Sequence, residues 1–425
     1  MENNKPAFAE ATARQIKILI FSLAYHPFVG GAEVAIKEIT DRLGDEFQFE
    51  MITANLDGRQ KEEEQIGKVR IYRPSFSPPP YEGGGSGGRA EAMRSERRLL
   101  RPLEAISAAL DRGEVKKLIN KYLFPWLAYR KSVELQQKNN YDLIWAMMAN
   151  QAGWAALKFK KKFPAVKYLL TLQEGDSELD IWLRTFLIRP IYKSIYHRAD
   201  YIQAISGFLK KRAENLEAKC EVEVVPNGIS MEHGTWNMEH NHEKIKRVIT
   251  VSRLVKKNGI EDLIKSIHLL ITSYQLPVTI NIIGDGKLRS KLEDLVKKLK
   301  LEDQVKFLGN IPNQEVYSYL ADADVFVRPS LSEGLGNAFL EAMAVGVPVI
   351  GTKVGGIPDF LADGETGWFC EVKNPGSIAE KIKYVLDEKN KDEVLRMIAK
   401  AKKMVEEKYN WEIISEKMGN IFTKI

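Results

Sequence analysis

RPSLSEGLGNAFLEAMAVGVPVIGTKVGG, residues 328 to 356, carries the pattern from which the rest of the chain is read. Seven residues lie between Glu333 and Glu341, Gly334 and Gly336 among them. The helical spacing of Phe339, Leu340, Met343 and Ala344 begins directly after this turn. A loop that runs into a helix N-terminus leaves backbone N–H groups without partners, and these attract phosphate together with the helix dipole. Gly336, Asn337 and Ala338 are placed to offer those amides, with Gly334 and Leu335 leading into the turn. Glu341, one turn into the helix, suits vicinal ribose hydroxyls, and Glu333 in the loop would face sugar hydroxyls. Two glutamates alone at this spacing would read as helix-surface charge. The joint occurrence of Ser332-Glu333-Gly334, Gly336 and Glu341-Ala342-Met343 argues against that.

Outward from this stretch the chain alternates between strand-length apolar runs and helical segments. Strands are predicted at Arg247 to Val251, Thr279 to Ile283, Val305 to Leu308, Val325 to Val327 and Val347 to Gly351. The helix after Gly259 places Ile260, Leu263, Ile264, Ile267 and Leu270 on one stripe. An earlier series runs through Ile16 to Leu23, Phe47 to Thr53, Leu143 to Met148, Tyr168 to Leu172, Tyr201 to Ile205 and Val222 to Val225. Such alternation predicts α/β architecture, with parallel sheets covered on both faces. The polar stretch Ser230 to Lys244 divides the two series and reads as a linker. The expected domains are therefore 1–230 and 245–408, followed by an amphipathic segment, 409–425, that crosses back to the first domain.

Size and composition agree with this division. The 425 residues suit two α/β domains of about 200 residues each, and 44% apolar with 28% charged residues describes a globular protein. A net charge of +6 is modest for the length and argues for local basic patches over nucleic-acid binding. Cys220 and Cys370 stand far apart, with no histidine at metal-ligand spacing, so neither a disulfide scaffold nor a zinc site is expected. A reducing, cytoplasmic setting follows. No window approaches an apolar membrane span, and the first residues do not read as a secretory signal.

Pro74 to Arg101 is rich in Pro, Gly and Arg and reads as a flexible insertion reaching to about residue 114. Val115 to Trp126 and Trp182 to Tyr196 mix aromatic and aliphatic residues with Lys and Arg. They read either as solvated faces of packed helices or as peripheral contact with the inner face of a membrane or an anionic lipid-linked acceptor.

Ser252-Arg253-Leu254-Val255-Lys256-Lys257-Asn258-Gly259 falls where a strand ends and a helix begins. Ligands of open parallel sheets bind outside the carboxyl ends of strands, so Arg253 and Lys257 are placed to neutralise a diphosphate.

Together these motifs resemble glycosyltransferase family four, retaining transferases of the GT-B fold. The resemblance also takes in Gly30-Gly31-Ala32-Glu33, Val225-Pro226-Asn227-Gly228, Gly284-Asp285-Gly286, Phe307-Leu308-Gly309, Pro329-Ser330 and Gly355-Gly356. It spans nearly the whole chain apart from the insertion. It implies two Rossmann-like domains facing each other across a cleft that holds a nucleotide-diphosphate-sugar donor. Arg253 and a neighbouring lysine would meet the phosphates, Glu341 the ribose, Glu333 the transferred sugar, and the Gly30-Gly31 backbone the phosphate from the other side. It further implies retention of anomeric configuration with the leaving phosphate helping to deprotonate the acceptor, and neither a cofactor nor a metal. Asp322 and Asp324 resemble a metal pair but precede a buried strand.

Two positions depart from the family pattern. Asn258 stands where the family has lysine, which leaves Lys257 or Lys256 to reach the phosphate. Gln173, with Glu174, Gly175 and Asp176 after it, stands where a histidine is common near the acceptor. Glutamine orients a sugar but is no base near neutral pH, so Glu174, Asp176 or the leaving phosphate must serve. Gln173, Glu174 and Asn227 are the expected acceptor-side residues. The leading expectation is a hexosyltransferase acting on a glycan or lipid-linked acceptor. The alternative is a degenerate relative that binds nucleotide sugar or glycan without turnover; a GT-B epimerase or phosphorylase would need an acid/base set or cofactor lysine that is not found.

Overall fold

Two sheets form from the two series of apolar runs. The structure is a computed structural model and describes residues 14–28, 30–74, 113–231 and 245–425. The first sheet contains β1 (Ile16–Phe21), β2 (Phe47–Ile52), β3 (Glu63–Ile66), β4 (Val69–Tyr72), β5 (Leu143–Met147), β6 (Lys167–Leu172), β7 (Tyr201–Ala204) and β8 (Glu221–Val224). Its order is β3-β4-β2-β1-β5-β6-β7-β8, parallel except for the β3/β4 pair. Helices α1 (Gly31–Leu43), α2 (Gly113–Asn139), α3 (Gln151–Lys162), α4 (Glu178–Thr185), α5 (Arg189–His197) and α6 (Gly207–Asn215) connect its strands. Because helices lie on both faces, the central strands are apolar throughout: all of β5, Leu-Ile-Trp-Ala-Met, is buried.

The second sheet is wholly parallel. It comprises β9 (Lys246–Val251), β10 (Val278–Ile283), β11 (Val305–Gly309), β12 (Val325–Arg328), β13 (Val349–Thr352) and β14 (Trp368–Cys370), in the order β11-β10-β9-β12-β13-β14. Helices α7 (Ile260–Thr272), α8 (Arg289–Leu299), α9 (Asn313–Ala321), α10 (Asn337–Val345), α11 (Pro375–Leu386) and α12 (Lys391–Lys408) accompany it. In each sheet the strand order reverses at the strand that opens the domain: between β1 and β5, and between β9 and β12. The loops leaving those strands splay apart and open a crevice at their carboxyl ends.

The last helix, α13 (Trp411–Lys424), lies against α1 of the first domain. Ile229 N donates to Tyr409 O at 2.8 Å where the chain crosses. A Cβ on Gly228 would stand 2.6 Å from the Trp411 ring, so the glycine permits the close approach. Phe422 packs its ring 5.4 Å from Phe47, 5.9 Å from Phe49 and 5.3 Å from Trp145, centroid to centroid. This aromatic cluster ties the helix to the first sheet, whereas the exposed pairs Arg42–Glu412 and Lys424–Glu221 add little.

Some expectations need correction. Strands β3, β4 and β14 were not expected. Glu-Glu-Gln-Ile in β3 has no apolar run and becomes a strand only by pairing Ile66 with Val69 across a turn at Gly67. With three residues, β14 is too short to show a period. Val347 and Pro348 lie ahead of β13, Val347 N closing the end of α10 on Ala342 O at 2.9 Å. The insertion lies outside the described residues from 75 to 112, and α2 already begins at Gly113. Most of the expected linker, 232–244, also lies outside them.

Candidate active site

The loops leaving β9 and β12 are laced together by backbone contacts. Leu331 N donates to Lys257 O at 2.6 Å, and a Cβ on Gly259, at φ +70°, would stand 2.0 Å from Pro329 O. Only glycine fits there. Asn258 is buried, and its side-chain amide donates to Arg253 O at 2.6 Å. The residue at the family's lysine position is therefore an internal bracket of the turn. Arg253 itself is exposed, and its guanidinium makes no ion pair among the described residues, although its charge acts on Glu33 of the first domain.

Beyond β12 the loop reaches α10 through Gly336, at φ +105°. The amides of Gly336, Asn337 and Ala338 donate to no acceptor among the described residues, which leaves the helix terminus open to an anion. Glu333 is held by Arg328, whose guanidinium donates to one carboxylate oxygen, while Gly334 N donates to the other at 3.2 Å. Gly355, at φ +55°, presses on the same loop: a Cβ there would stand 1.8 Å from Glu333 O. Glu341 is half-buried one turn into α10. Burial pushes its carboxyl up to about 7, against the opposing charge of Arg328. Arg328 thus acts on both glutamates, and Tyr317 on α9 faces Glu341, whose negative charge helps burial raise the phenol above its ordinary value.

The first domain presents the N-terminus of α1 opposite that of α10. A Cβ on Gly31 would stand 3.7 Å from Asn337 Nδ2 and 3.8 Å from Asn227 Nδ2. The Gly30 amide donates to the Glu33 carboxylate, which burial raises above its usual range against backbone hydrogen bonds and Arg253. Gln173 and Asn227 exchange hydrogen bonds, Nε2 to Oδ1 at 3.1 Å and Nδ2 to Oε1 at 3.2 Å. The loop after β6 touches the second domain directly: Ser332 Oγ donates to Gly175 O at 2.9 Å, and a Cβ on Gly175 would lie 2.6 Å from Gly334 N.

The structure thus brings Gly30, Gly31, Gln173, Asn227, Arg253, Glu333, Gly334, Gly336, Asn337 and Glu341 to the facing edges of the two domains, with Leu335 buried in the core beneath them. Lys257 is also there, but its Nζ donates to Gly175 O and to Asp176 Oδ1, each at 3.1 Å. It spans the domains and does not point free into the cleft. Of the three bases left open by the sequence, Glu174 and Asp176 are both engaged in other contacts. The Glu174 carboxylate accepts Ala149 N at 2.6 Å and Gln173 N at 3.2 Å, and burial raises it against Arg212 and these amides. Burial opposes ionisation of Asp176 as well, but hydrogen bonds and charge from Arg184 and Lys257 hold it below the carboxylate range. Asp322 and Asp324 serve strand β9: Asp322 pairs with Arg247, and Asp324 accepts Arg247 N at 2.6 Å.

Four side chains here escaped the reading of the sequence as site residues: Arg328, Tyr317, Glu33 and Asp176 in its bridging role. Arg328 left a trace as the one charge ending an apolar strand, Val-Phe-Val-Arg. Tyr317 left none, because α9 meets α10 only in the folded chain.

Comparison with known proteins is consistent with this geometry. Residues 235–404 match the family described as Glycosyl transferases group 1, and residues 108–233 match Glycosyltransferase Family 4. N-acetyl-alpha-D-glucosaminyl L-malate synthase of Bacillus anthracis is 35% identical over 303 residues, 69% of this chain and 77% of that protein. An uncharacterized glycosyltransferase of Methanocaldococcus jannaschii is 27% identical over 93% of this chain and 95% of its own length. In fold, the chain is similar to sucrose-phosphate synthase from Thermosynechococcus elongatus, with TM-score 0.74 and 20% identity over 97% of this chain and 99% of that one. Anabaena HepE in complex with UDP and glucose gives TM-score 0.71 and 17% identity over 97% and 100%.

Proposed function

The chain belongs to glycosyltransferase family four and has the GT-B architecture, and from this premise we propose that it is a retaining, metal-independent hexosyltransferase using a nucleotide-diphosphate-sugar donor. The supporting observation is the open N-terminus of α10, flanked by Glu333 and Glu341 and approached by Arg253 and the α1 terminus. Two helix termini and the exposed Arg253 guanidinium concentrate positive potential where a diphosphate would lie, so its charge is met without a bound cation. Glu341 accepts the ribose hydroxyls and Glu333, set by Arg328, the hydroxyls of the sugar.

In this reading the bond from the anomeric carbon to the donor phosphate oxygen breaks as Arg253 and the α10 amides take up the developing charge. The acceptor oxygen bonds to the anomeric carbon on the same face, and its proton passes to the departing phosphate oxygen. Glu174 and Asp176 are committed elsewhere, which supports the phosphate as the base. The Gln173–Asn227 amide pair orients the acceptor, a glycan or lipid-linked sugar.

HepE's complex with UDP makes uridine the first base to try. The test is calorimetry with UDP, GDP and ADP, then transfer assays with their hexose derivatives and anomeric assignment of the product by NMR. Micromolar binding of one nucleotide and product of the donor's own anomeric configuration are expected. An inverted product overturns the retaining mechanism, and binding without turnover for every donor and acceptor pair overturns catalysis.

A further inference from the structure

Helix α4 turns an apolar stripe outward. Leu179, Trp182, Leu183 and Phe186 follow one another at helical spacing, and Leu187 and Ile188 continue the surface into the next turn. None of these residues is buried; Leu187 is 90% exposed and Leu179 66%. Six large apolar side chains together are an anomaly on a surface where single ones are ordinary. Packing does not account for them, because the helix is anchored by its other side, through Ile181 on the core and Glu178 on Arg212.

The charge around the stripe decides what fits it. Glu178, paired with Arg212, and Asp180 flank the stripe at its start, but from 181 to 199 the chain carries Arg184, Arg189, Lys193 and Arg198 and no acidic residue. Arg189 and Arg198 make no ion pair among the described residues. Beside α5 lies α3, with Lys158, Lys161 and Lys162, and beyond it α2, with Tyr122 and Trp126 exposed and Lys158 Nζ 3.4 Å from the Trp126 ring centroid. Two copies of this chain meeting face to face would set these cations against one another. Apolar residues framed by cations and aromatic rings match instead the boundary of a bilayer with anionic headgroups, where acyl chains take the stripe and phosphates the cations.

We propose that the outward face of α4 and the turn after it dock on an anionic lipid surface, with Trp182, Leu183, Phe186 and Leu187 entering the headgroup boundary. This deepens the lipid-linked acceptor reading and rests on it for its purpose. Helix α4 leaves directly from the Gln173–Asp176 loop, so a surface bound there lies beside the acceptor wall of the cleft. Arg184 pairs with Asp176 at 2.5 Å, and Asp176 holds Lys257 of the second domain, which links the docking helix to the donor side.

The full chain is tested by flotation with vesicles of phosphatidylcholine alone and of phosphatidylcholine with phosphatidylglycerol, beside analytical ultracentrifugation and UDP calorimetry. Binding to the anionic vesicles only, weakened by salt, is expected. The double variant Leu183→Ser, Leu187→Ser is expected to lose at least about tenfold in vesicle affinity with its melting temperature and nucleotide affinity unchanged, both positions being exposed. Failure of the unaltered protein to bind either vesicle overturns the proposal. So does a dimer that the double variant dissolves, since the face would then be a self-interface. Loss of UDP binding with vesicle binding intact strikes the donor reading alone.

Discussion

Glu341 carries two of the expected outcomes, because its half-buried carboxyl is pushed up to about 7. Its ordinary value is 4.5, so between these pH values the native protein holds a proton that the unfolded chain has released. Stability from this group is therefore present below 4.5 and is lost as pH rises to about 7. Denaturation of Glu341→Gln across that window should show a flatter pH dependence than the parent. Ribose hydroxyls are best accepted by the ionised form, so nucleotide affinity should increase as pH passes 7. Calorimetry above that pH should find Glu341→Ala weaker by about 1 to 3 kcal/mol, the cost of leaving the hydroxyls unpaired. Arg253 is the complementary case, exposed and without an ion pair among the described residues. Arg253→Ala should lower kcat by about a hundred- to a thousandfold, since the charge is used as the diphosphate leaves. Its unfolding free energy should stay within about 0.5 kcal/mol of the parent. Asn258 shows the limit of reading residues by position: the motif places it on the phosphate path, but its amide turns inward to Arg253 O.

At the scale of elements, α10 and α13 contrast in how they act. The site depends on the N-terminus of α10, where a left-handed Gly336 precedes amides that have no acceptor among the described residues. The periodicity after Gly336 is enough to locate that terminus. Helix α13 belongs by sequence to the second domain and by packing to the first, with Phe422 closing an aromatic cluster around Phe47, Phe49 and Trp145. Phe422→Ala should cost about 3 to 5 kcal/mol in chemical denaturation, the range for deleting a buried aromatic ring. The amphipathic pattern of 409–425 announces a helix that covers something apolar. The surface it covers is made of α1, some 370 residues earlier as the Arg42–Glu412 pair shows, together with β2 and β5, and no local pattern names it. Strand β3 was missed for the same reason, being polar and paired only through its neighbour.

For the whole molecule the question is how the walls of the cleft are held. Lys257 bonds Gly175 O and Asp176, Ser332 bonds Gly175 O, and Gly207 N donates to Asp359 Oδ2 at 2.6 Å. These contacts are polar, the kind across which domains hinge. Asp176→Asn removes the charge that Lys257 and Arg184 share. X-ray scattering of the nucleotide-free variant should give a larger radius of gyration than the parent, with UDP restoring compactness. Because the pairs are partly exposed, stability should change by no more than about 1 kcal/mol.

Read alone, the chain determined its two parallel sheets, the placement of ligand-binding loops at the carboxyl ends of their strands, and the glycine-rich turn with its two glutamates. Those properties follow from short-range regularities: apolar period, glycine placement and charge spacing within about 30 residues. Folding alone decided that Lys257 bridges to Asp176, that Arg328 and Tyr317 attend the glutamates, that Glu174 is spent on backbone amides, and that α4 keeps its apolar stripe outside. Each of those is a contact or an exposure between distant segments, set by which helix faces meet when both sheets pack, and a linear pattern holds no record of that.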